Sequence, residues 1–154
     1  MRKTILTILA LIIMSAQCFA ADWVWLHSDE NEGFFFDKGS IVFDISKDRK
    51  IVNRDRFYVW VKTVYDASFA KKEFGRDDVA YSVDRFGFDA KTNSICEKHI
   101  LYYNPDKQVI YQQKDILRWQ TIVPETLGES LFRHISKFVR EHEAEIEQRT
   151  RGNR

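Results

Sequence analysis

Pro124 divides the chain between two hydrophobic periods, and this change restricts the fold more than any motif does. After it, Leu127, Leu131, Ile135, Phe138, Val139, His142 and Ile146 recur at helical spacing, forming one apolar stripe. Thr126 followed by Glu129 has the pattern of a capping box. One long helix is therefore predicted over residues 126–148, with Arg149 to Arg154 as a fraying end.

Before Pro124 the texture is β. Trp23–Leu26, Gly33–Asp37, Ile41–Ile45, Phe57–Tyr65, Val79–Phe88, Ile95–Tyr103, Val109–Tyr111 and Leu117–Thr121 read as strands. Lys38-Gly39-Ser40, Ser46 to Lys50, Asp89 to Asn93 and Asn104-Pro105-Asp106-Lys107 separate them as turns. In Phe57–Tyr65 both alternating faces are largely apolar or aromatic, which predicts a central strand covered on much of both sides. Ala67 to Asp78 reads as a charged loop or short surface helix. The fold class expected is α+β: an antiparallel sheet of about six strands, with one long C-terminal helix packed on one face. Leu127, Leu131, Ile135, Phe138 and Val139 should be buried against it.

Residues 1–20 have the layout of an export leader. Arg2 and Lys3 precede an apolar run from Ile5 to Met14, and a more polar stretch ends at Ala20, the expected cleavage point. Acylation at Cys18 is disfavoured by Ser15 and Gln17 upstream. Cleavage leaves residues 21–154 as a single domain, with no transmembrane segment expected. It also removes two of the 24 basic residues and none of the 23 acidic ones, for a mature net charge of −1. That balance gives no electrostatic reason to expect nucleic acid as a partner. Cys96 becomes the remaining cysteine, read either as a buried inert thiol or as one half of an intermolecular disulfide.

The four histidines fall in no metal-binding spacing, and neither HExxH nor CxxC occurs. There is no GxSxG turn, and Ser130 falls within the helical register. Cys96 and His99, three apart in a regular strand, should point to opposite faces. No cofactor, metal or enzymatic activity is expected. Binding surfaces have better material: Lys71, Lys72, Phe74 and Arg76 in the charged segment, and Arg149 and Arg151 in the tail, are candidate protein-binding residues.

The order of several features resembles the surface-adhesin protein E family of Gram-negative bacteria. These are Trp23 or Trp25, the aromatic run ending at Asp37 with Ser40-Ile41, Val59-Trp60-Val61-Lys62 with Tyr65, Cys96 with Lys98, Tyr102/Tyr103, and Trp119-x-x-Ile122-x-Pro124 leading to Gly128-x-x-Leu131. The resemblance covers nearly the whole mature chain. It implies a curved antiparallel sheet with the C-terminal helix across its concave side. It also implies an exported protein of the periplasm or outer cell surface. The best-known relative is a dimeric adhesin for host matrix and serum proteins such as vitronectin and laminin, and many others are envelope proteins. Two departures stand out. The family's mid-chain cysteine commonly pairs with one in the C-terminal helix, and no cysteine follows Cys96 here; Pro124-Glu125-Thr126 replaces the usual Pro-Gly-Ser. Two expectations result: an exported, non-enzymatic adhesin recognising host proteins, with a homodimer among its states, or a periplasmic structural or accessory protein binding another envelope component.

Overall fold

The structure, a computed structural model, describes residues 21–46, 50–114 and 118–152. The predicted leader, most of the 46–50 turn, Leu117, and Asn153-Arg154 of the predicted fraying end lie outside the described residues. Eight strands form one sheet: β1 (Trp23–Ser28), β2 (Glu32–Asp37), β3 (Val42–Ile45), β4 (Val52–Tyr65), β5 (Tyr81–Asp89), β6 (Ser94–Tyr103), β7 (Val109–Lys114) and β8 (Gln120–Thr121). Every pairing is antiparallel, along the path β1-β2-β4-β5-β6-β7.

The sheet has eight strands where about six were expected, because β4 and β6 are long enough to hold two partners along one edge. β4 pairs β3 at residues 52–53 and 57–58, across a register shift, and β2 through residues 61–65. β6 likewise pairs β8 at Ser94-Ile95 and β7 from His99 onward. The short strands fill gaps that would otherwise leave backbone donors and acceptors unpaired.

Three helices follow the apolar periodicity. α1 (Ala67–Phe74) begins at Asp66, whose carboxylate accepts the N–H groups of Ser68 and Phe69, and ends at Gly75 in the left-handed region at φ 64°. α2 (Leu127–Glu141) is capped by Thr126, whose hydroxyl accepts the Glu129 N–H, while the Glu129 carboxylate accepts from Glu125 N–H. Half of the capping box read in the sequence is present, the Thr126–Glu129 bond, while the Glu129 carboxylate reaches one residue further back than the cap, to Glu125.

The single long helix expected is in fact two, since α3 (Glu143–Gly152) is a separate element. His142 breaks the register at φ −123° and ψ 23°; its ring stacks on Phe138 at 4.0 Å and its Nδ1 lies 3.0 Å from the Phe138 carbonyl oxygen. The redirected α3 packs on β3. There the Thr150 hydroxyl accepts the Phe43 N–H at 3.0 Å, and Arg149 donates to the carbonyls of Lys38, Gly39 and Ile41. The segment through Gly152 is therefore helical and anchored by Arg149, not frayed.

Phe36, Phe43, Phe57, Val59, Val61 and Phe88 from one sheet face meet Leu131, Ile135, Val139 and Ile146 from the helices in one core. Each fully buried side chain of this size stabilises the fold by about 1.5–3 kcal/mol. Leu127, expected in this core, is instead 46% exposed, because it occupies the first helical position beyond the sheet's coverage. α1 lies on the same side, with Phe69 and Phe74 against Tyr65 and Phe74 against Tyr102. β4 is central as expected, but the described helices cover one of its faces only.

Candidate functional site

Alternation in β4 sends Tyr58, Trp60 and Lys62 to the face opposite the helices. Register carries the same face across the sheet: Trp60 pairs with Arg85, Arg85 with His99, and His99 with Lys114. The neighbouring row runs from Trp25 and Phe35 through Lys62 and Val83 to Leu101. The result is an open face of rings, aliphatic side chains and a few cations. Trp25 stands 60% exposed on it.

Two arginines on this face are held differently. Arg56 donates to Asp89 at 2.7 Å, approaches Asp44 at 3.4 Å, and packs its guanidinium 4.9 Å from the Trp119 ring. Burial alone would raise the Asp89 pKa, but hydrogen bonds from Arg56 and Thr92 outweigh it and hold the carboxyl below its ordinary value. The Arg85 guanidinium lies 5.4 Å from the Trp60 ring centroid and 5.9 Å from that of Tyr58, and burial pushes its pKa down. Among the described residues no carboxylate pairs with Arg85, nor with Lys62, whose ammonium lies 4.4 Å from the Tyr81 ring. Both cations are thus held by ring faces alone. Tyr81 stacks on Tyr103 at 4.7 Å, Trp60 lies 5.5 Å from His99, and His99 Nε2 is 2.9 Å from Gln112 Nε2.

Cys96 lies beneath this face. Gly87 leaves the space that lets the Tyr58 ring cover the thiol, and a Cβ there would fall 2.7 Å from the ring and 2.8 Å from Cys96 Sγ. Burial pushes the thiol pKa up. Cys96 points away from α2, since its neighbour Ile95 faces Gly128. A bulge between Arg85 and Phe86 in the β5–β6 register puts Cys96 and His99 on the same face, not on opposite faces as regular alternation predicts.

On the helix-covered face, a buried polar chain runs from Tyr65 Oη to Ser82 Oγ at 3.0 Å and from Ser82 to Asp84 Oδ2 at 2.6 Å. Among the described residues Asp84 Oδ1 has no hydrogen-bond partner, and burial pushes the Asp84 pKa up to about 7. Nearby Glu97 is also raised by burial. A cleft of about 460 Å³ opens between β1–β2 and the start of α2, lined by His27, Glu32, Leu127, Ser130 and His134 among others. Within it His134 Nδ1 lies 2.8 Å from the Ser130 backbone carbonyl oxygen. No three His, Cys, Asp or Glu side chains among the described residues could hold a metal ion.

The candidate residues read from the sequence are not brought together. Lys71 and Lys72 are exposed in the last turn of α1, and Phe74 belongs to the aromatic cluster with Tyr65 and Tyr102. Arg76 is closed on Asp78 by two bonds of 2.7 and 2.6 Å. At the other end of β4, Arg149 serves α3 as described, and Arg151 pairs with Glu147, which also receives Arg54. Roughly 35 Å of strand separates Arg54 from Tyr65.

The open face escaped the sequence reading because the helix stripe and the alternation of β4 do not say which face the helices take. Its signal was present in Tyr58, Trp60 and Lys62, and in Val83 and Arg85. Among the described residues no helix is long and apolar enough to cross a membrane. No protein-family model, curated protein or solved structure matches the chain.

Proposed function

We propose that this chain is an exported, non-enzymatic binding protein that engages a component of the cell envelope through the open face of its sheet. The observation that carries the reading is Arg85, held between two aromatic rings with no carboxylate among the described residues. Stabilising a half-buried cation by ring faces alone leaves its hydrogen-bonding capacity unused, which a partner can satisfy. Exposed aromatic and aliphatic side chains around it supply area for contact.

The adhesin reading has its own support. Lys71 and Lys72 are exposed cations on α1, whose last residue, Phe74, lines an apolar notch of about 160 Å³ with Tyr102 and Tyr111. The two readings separate in one binding experiment with envelope fractions and immobilised matrix proteins. Trp60→Ala/Tyr81→Ala should lower envelope binding at least fivefold, and Lys71→Ala/Lys72→Ala should leave it within twofold. The reverse pattern on matrix proteins moves the site to α1. Protease treatment of intact cells then decides location: cleavage before the outer membrane is breached is required by the adhesin reading.

A further inference from the structure

We infer that the open face binds another protein, through an apolar patch whose carboxylate enters between Tyr58 and Trp60 to pair with Arg85; this rests on the function proposed above. Three observations point to this partner. The composition of the face is that of a protein interface centre, with Trp, Tyr and Arg among Val42, Val83 and Leu101. Aliphatic side chains in this number contribute little to a glycan, which calls for hydrogen-bonding groups beside its rings.

The charge is also one-sided at the centre. Of the acids on this face, Asp44 and Asp89 are consumed by Arg56, and Asp37, at the end of β2, accepts the N–H groups of Asp22 and Gly39, while Arg85 and Lys62 have no acid among the described residues. A carboxylate from the partner would meet a guanidinium already oriented and partly desolvated, where screening by salt is weak. Two copies packed face to face would instead oppose Arg85 and Lys62 to their own kind.

Size points the same way. Six strands span about 24 Å, and residues 58–64 of β4 about 20 Å, so the flat area is on the order of 500 Å². That matches one side of a transient interface and falls short of an obligate dimer. The partner is therefore a separate protein of mixed apolar and acidic surface.

The test places a photo-crosslinking benzophenone residue at Val83 in the full chain, in intact cells, with Lys137 on α2 as the control position. The expected result is a discrete adduct with a different protein from Val83 and none from Lys137. Its crosslinked peptide should contain Asp or Glu among apolar residues. Arg85→Met should reduce the adduct at least tenfold, and Arg85→Lys should restore part of it at an unchanged thermal midpoint. If Arg85→Met does not fold, Lys62→Gln carries the same charge criterion with a threefold loss. An adduct that survives both charge variants but is lost in Trp60→Ala overturns the carboxylate pairing and leaves the open-face function standing. No adduct from Val83 overturns both. An adduct with a second copy of this chain, a glycan or a lipid overturns the inferred partner.

Discussion

Arg56 and Arg85 project from neighbouring strands onto the same face, yet one is closed in an ion-pair network and the other meets no carboxylate among the described residues, only rings. Asp84 is the corresponding acid on the covered face: its Oδ2 accepts from Ser82, and its Oδ1 has no partner among the described residues. Its pKa rises from 3.8 to about 7, so between those values the folded chain holds a proton that the unfolded chain has released. The associated stability is complete below about pH 4 and is lost as pH rises through 7, a change on the order of 4 kcal/mol. Asp84→Asn should flatten this slope and be the more stable form at pH 8, as read from urea midpoints at pH 5, 7 and 8. A wild-type stability that rises over this range, with Asp84→Asn following it, would refute the assignment. Gly87 is a second residue whose neighbours dictate its identity. Gly87→Ala forces the Tyr58 ring and Cys96 apart and should cost about 1–3 kcal/mol, measurable by the same denaturation.

Among the elements, β4 was legible as a central strand because both its faces are apolar, but the alternation began at Phe57 only in the sequence reading. Arg54, Asp55 and Arg56 hid its first residues: they fall where the β3–β4 register shifts between Asn53 and Phe57, and of the three only Arg56 is in register with β5. The break between α2 and α3 was not legible at all. No Pro or Gly marks it, and the stripe continues through His142 to Ile146. Tertiary bonds from Thr150 and Arg149 decide it. Thr150→Val keeps the shape but strands the buried Phe43 N–H, so it should destabilise the protein by about 1–3 kcal/mol. Thr150→Ser should retain most of the stability. Equal midpoints for the two variants would remove the bond from the account. The bulge in the β5–β6 register has the same character: one extra residue reverses the side of His99, and no residue type near Lys98 announces it.

For the whole molecule, all three described helices gather on one side of the sheet, and no described helix covers the other side. Export is an expectation at this scale as well. The intact mass of the protein isolated from cells should correspond to a chain beginning at Ala21, whereas a diacylglyceryl adduct on Cys18 would refute that processing. Hydrophobic period by itself determined that strands precede Pro124, that a capped helix follows at Thr126, and that Leu131, Ile135 and Val139 are core. Those features arise from interactions within a few residues, where spacing translates directly into direction. Tertiary structure alone decided the second partners of β4 and β6, the turn at His142, the side taken by the helices and the isolation of Arg85. Each depends on groups far apart in the chain, and their alternatives differ in which buried donors, acceptors and charges find partners, a quantity no local pattern encodes.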